Sequence, residues 1–179
     1  MKKITALLLG IMLTGFAYSQ EKKEKTTTQA EQFSAQAGTL IEKQIVDIGT
    51  VKGISVQVMK LKDINSGTSK TALRFEFEYK DSYTSRTKIA TLDLDEIEGL
   101  LKSMNNLITN VFTSTRDVYT EVTFRSRTGF EAGTYYDIDK KKWTAYVQLE
   151  KYDNDSEVFL TTDDFAIMLK LVEQAKTKM

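Results

Sequence analysis

The 179-residue chain carries 25 Lys plus Arg against 25 Asp plus Glu, so its formal net charge is zero and no long-range field draws it toward nucleic acid or anionic lipid. It has neither His nor Cys, which removes the commonest general base, the thiolate nucleophile, disulfides and soft-metal sites. With 41% hydrophobic residues, the length suits one ordinary core better than several large domains.

Lys2-Lys3 is a basic start, Ile4 to Phe16 an apolar run, and Ala17-Tyr18-Ser19 places small residues around a cleavage point. This pattern predicts a secretory signal peptide over 1–19 with Gln20 as the new N-terminus. The apolar run is short of the roughly 20 residues a membrane span needs, so no stable membrane insertion is expected after cleavage. No Cys follows the cleavage point to carry a lipid. A Cys-free exported chain fits a bacterial envelope, and the expected location is periplasmic or extracellular. The Asn154-Asp155-Ser156 sequon is then a coincidence. Gln20 to Gln29 has no side chain worth burying, and residues 20–36 read as a polar, disordered leader with room for a short helix near Phe33. A single domain is expected over 37–179.

Ile45-Val46-Asp47-Ile48 and Ile54-Ser55-Val56-Gln57-Val58 read as strands, and Asn65-Ser66-Gly67 as a turn. Leu73, Phe75, Phe77 and Tyr79 alternate with Arg74, Glu76, Glu78 and Lys80, the signature of a half-buried antiparallel strand. Arg86 to Leu92 supplies another strand and leads into a helix. There Asp93 and Glu96 have capping-box spacing, and Leu94, Ile97, Leu100, Leu101 and Met104 form an apolar stripe. The order then recurs. Val122 and Phe124 alternate with Thr123, Arg125 and Arg127, and a Gly129 to Gly133 bend precedes a Tyr135-Tyr136 strand. Next come an Asp137 to Lys142 turn, the alternating Trp143, Ala145, Val147 and Leu149, a short Val158 to Leu160 strand and a helix capped by Thr161 and Asp164.

At an offset of 68 residues (161 − 93), Ile97 meets Phe165, Leu100 meets Met168, Leu101 meets Leu169 and Met104 meets Val172. The same offset carries Phe75 to Trp143 and Val56 to Phe124. The expected fold is therefore α+β: two tandem antiparallel sheet-plus-helix repeats, approximately ββββα twice, over about 37–106 and 107–179, with the helices on one face of the sheets. This layout resembles that of Whirly, PUR and TATA-binding proteins. Since no motif of theirs is present, the resemblance implies arrangement alone, and the export signal and zero net charge point away from nucleic acid.

The candidate chemistries are few. Asp153, Asp155 and Glu157 imitate the start of a calcium loop, but Val158 stands where such a loop needs Gly, so an acidic turn is expected. Asp93, Asp95 and Glu96 suit a helix start. Ser85-Arg86-Thr87-Lys88 spells the Ser-x-x-Lys acylation motif without its companion elements and on a strand. The glycines at 49, 53, 129 and 133 have no phosphate-cradling spacing.

No catalytic residue, metal or cofactor is expected. The sheet face away from the helices should carry Ser55, Gln57, Arg74, Glu76, Glu78, Thr123, Arg125, Arg127, Tyr146 and Gln148, either as a solvated surface with cross-strand ion pairs or as a platform. In the platform reading Arg125, Arg127 and Tyr146, with Arg74 and Gln57, are the candidate binding residues. The sequence then describes an exported binding or assembly module for an unknown protein or polar envelope ligand. The alternative is an envelope hydrolase using Asp93 and Asp95 or Asp153 and Asp155.

Overall fold

A computed structural model describes residues 27–179, so the expected signal peptide and most of the leader lie outside the described residues. The chain is α+β, and the described residues form two antiparallel four-stranded sheets and three α-helices. The first sheet is the meander β1 (Ile41–Val51), β2 (Ile54–Asp63), β3 (Ser69–Lys80) and β4 (Ser85–Asp93). The second is β5 (Glu121–Arg125), β6 (Glu131–Asp137), β7 (Lys142–Gln148) and β8 (Glu157–Leu160), in the same neighbour-to-neighbour order. Short turns set this topology. Between β1 and β2, Lys52 and Gly53 both take positive φ, 50° and 80°, as a tight hairpin requires.

A six-residue helix, α1 (Gln29–Ser34), precedes β1, while α2 (Leu94–Asn106) follows β4 and α3 (Thr162–Thr177) follows β8. Both predicted capping boxes form. The Asp93 N–H donates to the Glu96 carboxylate at 3.1 Å, and Thr161 Oγ1 accepts from the Asp164 N–H at 3.1 Å. A π-helical turn, Leu107–Val111, extends α2. Of the expected stripe, Ile97, Leu100 and Met104 are buried, while Leu94 in the first turn is exposed.

One core serves both sheets. Val56, Leu73, Phe75 and Leu92 share it with Ala132, Trp143, Val147 and Leu160, and the Phe75 and Phe130 rings stack at 4.6 Å. α2 touches β3, β4 and β5, and α3 touches β1 and β2 as well as β7 and β8, so each helix bridges the two halves. The fit of α3 on β1 is close: a Cβ on Gly49 would lie 2.6 Å from Leu171 Cδ2.

Three expectations are corrected. The leader does not reach residue 36 as a disordered segment, because α1 buries Ala30 and Phe33 against Met59, Leu61 and Ala72. Those last three alternate with the core-facing Val58 and Leu73, so α1 lies on the opposite face of the first sheet and the helices are not all on one face. The strand equivalences fail as well. Val56 lies in the second strand of its sheet and Phe124 in the first of the other. Leu73 pairs with Leu92 and Ala145 with Leu160, so the last strands are offset by 68 (160 − 92) but the third by 72 (145 − 73). Val147, rather than Trp143, then stands where Phe75 stands.

Candidate functional site

Two acidic clusters are closed off by basic side chains from the other half of the chain. At the start of α2, Asp93, Asp95 and Glu96 bring their carboxylates within 4.8 Å of one another, close enough to hold a cation. The cation there is Arg127. Its Nη1 lies 3.3 Å from Asp93 and its Nε 3.4 Å from Glu96, its Nη2 bonds Asp95, and its backbone N–H donates to Glu96 at 2.8 Å. The Asp93 carboxylate also accepts from the Gln29 and Ala30 amides, at 2.7 and 3.1 Å, which docks α1. The cluster is a three-way joint between α1, α2 and the second sheet's first hairpin, with a guanidinium where a metal would have to sit.

The turn at Asn154–Ser156 is the second such joint. Lys88, buried on β4, bonds Asp153 and lies 3.6 Å from Glu150, while Arg86 lies 3.6 Å from Asp155. The hydrogen bond to Asp153 holds the Lys88 ammonium above its ordinary pKa and, from the other side, holds the Asp153 carboxyl below its own. Ser85 instead donates to Glu78 at 2.6 Å, and β4 alternation turns Ser85 and Lys88 to opposite faces, so the Ser-x-x-Lys quartet assembles no nucleophile and base.

Arg127 therefore does not share the strand face of Arg125, as its spacing predicted. β5 ends at Arg125, and the Ser126 N–H donates to Phe130 O at 2.8 Å to close a hairpin loop in which Gly129 adopts φ 97°. Arg127 lies in that loop. Reversing its charge would place a fourth negative group among three carboxylates and cost stability, contrary to expectation for an exposed strand residue.

Arg125 and Tyr146 do come together, on the second sheet's outer face. Gly133 lies between Thr123 and Tyr146 in the ladder, and without a side chain it leaves a slot on β6. The Tyr146 ring crosses this slot, and its hydroxyl reaches Thr123 Oγ1 at 2.9 Å and Glu131 Oε2 at 3.5 Å. A Cβ at residue 133 would lie 2.7 Å from Thr123 Oγ1 and 2.9 Å from Val122 O. Tyr146 is thus only 8% exposed on a nominally outward face, and burial pushes its phenol above the ordinary pKa. Arg125 bonds the buried Glu131 through Nε at 2.6 Å. Glu157, two strands from Glu131 through Gln148, has its carboxyl raised by burial and then by the Glu131 charge, and that carboxylate makes no hydrogen bond among the described residues. Phe159, 54% exposed, stands opposite Tyr146, and the Tyr119 and Tyr135 rings lie 6.3 Å apart along the same face. Glu121 raises the Tyr119 phenol to about 12.

Gln57 and Arg74 meet on the first sheet's outer face, but as a closed network. Asp47 accepts from Gln57 at 2.7 Å, while Arg74 bonds both Gln57 and Glu76. Both side chains are buried, so the two candidates form a braced row. Glu131, Glu157, Tyr135 and Phe159 were not foreseen as site residues; Glu131 was missed because Gly129 to Gly133 read as a bend, and Glu157 reads in sequence as part of an acidic turn. Continuing the alternation through Glu131, Gly133 and Tyr135 would have put those three residues on one face of a strand.

No protein-family model, curated protein or solved structure matches this chain. No helix among the described residues is long and apolar enough to cross a membrane.

Proposed function

We propose that the protein is an exported, non-catalytic binding or assembly module of the cell envelope, and that it takes a sugar-bearing ligand on the second sheet's outer face. The observation that carries this reading is the half-buried Glu157 carboxyl, which has no hydrogen-bond partner among the described residues and stands beside the exposed Phe159 ring and the Tyr146–Glu131 floor. A sugar hydroxyl satisfies such a carboxylate, and the apolar face of a pyranose lies flat on an aromatic ring. Arg125 is already engaged by Glu131, so the face offers acceptors and rings rather than a free cation for a carboxylate-bearing ligand. The zero net charge and the basic-apolar opening of the sequence agree with an envelope location and against nucleic acid.

The hydrolase reading is opposed by geometry. Asp93 with Asp95 and Asp153 with Asp155 sit at turns and helix starts, paired to Arg127, Lys88 and Arg86, rather than converging in a pocket. The common strand order of the two sheets and the two capping boxes 68 residues apart support descent of the halves from one duplicated unit, with strand lengths since changed.

Co-sedimentation with purified peptidoglycan sacculi, followed by titration with soluble N-acetylated glycan fragments, tests the ligand. The protein should pellet with sacculi, and Glu157→Gln with Phe159→Ala should weaken retention at least about tenfold, the loss of roughly 1.4 kcal/mol. Absence of retention, or equal retention by the double variant, overturns the reading.

A further inference from the structure

The four outer strands of the two sheets are protected to different degrees. β5 and β8 have only five and four residues, and short edges recruit partners poorly. β4 is covered by the Glu150 to Asp155 segment, through Lys88, Arg86 and an Ile89 N–H that points at Glu150 at 3.4 Å. β1 has neither protection. It runs for eleven residues, and among the described residues its backbone makes no hydrogen bond beyond its ladder with β2.

The side chains on that edge complement themselves. Lys43, Ile45 and Asp47 pair with Leu61, Met59 and Gln57, so they share the outer face. Ile45 is 40% exposed, and among the described residues the exposed Lys43 has no ion pair and Asp47 has only the neutral Gln57 amide as side-chain partner. We propose that two copies of the chain join through β1, antiparallel about a two-fold axis that passes Ile45 normal to the sheet. Residues whose numbers sum to 90 then face each other: Ile45 meets Ile45 of the second copy, and each Lys43 meets the other's Asp47.

The register is selected by charge. Sliding it so that residue 43 or residue 47 lies on the axis sets Lys43 against Lys43 or Asp47 against Asp47, and centring on Gln44 or Val46 forms no ion pair. The irregularity in the β1–β2 ladder between Asp47 and Gly49 ends regular pairing immediately beyond the charged residues, which confines the joint to the segment around Ile45. The two four-stranded first sheets become one continuous sheet across the dimer.

The absence of native Cys makes the axis directly testable by cross-linking. In an antiparallel pair the residue on the axis faces its own copy at a Cα separation of about 4.5–5.5 Å, inside disulfide range. Residue 43 faces its copy from roughly 13 Å away, outside it. Ile45→Cys should therefore oxidise to a covalent dimer on mild treatment, while Lys43→Cys stays monomeric on a denaturing non-reducing gel. In sedimentation velocity Lys43→Asp and Asp47→Lys should each fall to a single-chain mass with unchanged far-UV circular dichroism, and an equimolar mixture of the two should regain the dimer. Three results overturn the proposal: a single-chain mass for the unmodified protein at about 100 µM, far above a specific dimer's dissociation constant; equal cross-linking at residues 43 and 45; or two folded single-charge variants that do not pair.

Discussion

The outer faces of the two sheets start from the same material, polar side chains alternating with a common core, and end in opposite conditions. On the first sheet the row Asp47, Gln57, Arg74 and Glu76 is complete, each side chain bonded to the next, with α1 covering the apolar positions beside it. On the second sheet the row Arg125, Glu131, Gln148 and Glu157 is incomplete. Arg125 satisfies Glu131 at one end, while among the described residues the half-buried Glu157 carboxylate has no hydrogen bond and no helix covers the neighbouring Phe159. The difference lies in Gly133, which draws the Tyr146 ring down onto β6 and builds a floor rather than a crossbar. Polar residues on a sheet therefore do not by themselves mark a working surface; what matters is whether their hydrogen bonds are already spent.

Three substitutions break or sharpen this contrast. Arg74→Met should have the largest effect, about 2–3 kcal/mol of lost stability by denaturant unfolding, because it leaves the buried Gln57 carbonyl and Glu76 without their donor while sacculus retention of the folded protein is unchanged. Gly133→Ala should cost less, about 1–2 kcal/mol, since the new methyl must push aside Thr123 and the Val122 carbonyl. Because it also lifts Tyr146 from its slot, it should lower the tyrosine's burial in fluorescence quenching and reduce ligand retention, and a variant that binds normally would count against the floor.

Glu157→Gln should have the smallest effect and the opposite sign. The folded state raises the Glu157 pKa above its ordinary 4.5, so between 4.5 and the raised value the native protein binds more protons than the unfolded chain. Stability from this residue is then present at low pH and lost as pH rises through the folded-state value. Replacement by a neutral isostere should raise the melting temperature at pH 7, with the gain vanishing below about 4.5, where the wild-type carboxyl is protonated in both states. Asp153 has the reverse sign, since Lys88 depresses its pKa; its contribution is present at neutral pH and disappears in acid below 3.8.

Much of the secondary structure was legible because its causes are local. The capping pairs at 93/96 and 161/164 and the alternation through Leu73 and Phe75 need nothing beyond neighbouring residues, and each appears where its spacing placed it. What escaped the sequence depends on distant partners. α1 is a six-residue helix whose first amides are held by Asp93, 64 and 63 residues further on, and whose packing rests on Ala30 and Phe33. Arg127 had the right spacing for the strand face, but Gly129 turns the chain too early. The site was half legible for the same reason: Arg125 and Tyr146 follow from alternation, whereas Glu131 joins the face only once the segment through Gly133 is known to be a strand, and Glu157 only once β7 is known to set Gln148 between the two carboxylates.

The crossing of α3 onto β1 and β2 bears on the order in which the molecule can come into being. Leu171 closes over Gly49, and Phe165, Met168 and Val172 fill a core that the first sheet shares. A ribosome makes these residues more than a hundred positions after β1 and β2, which they cover. Until α3 emerges the nascent first sheet has an incompletely covered apolar face, so its folding must wait for α3. An N-terminal fragment ending after α2 should accordingly be captured by chaperones, where the full chain escapes them.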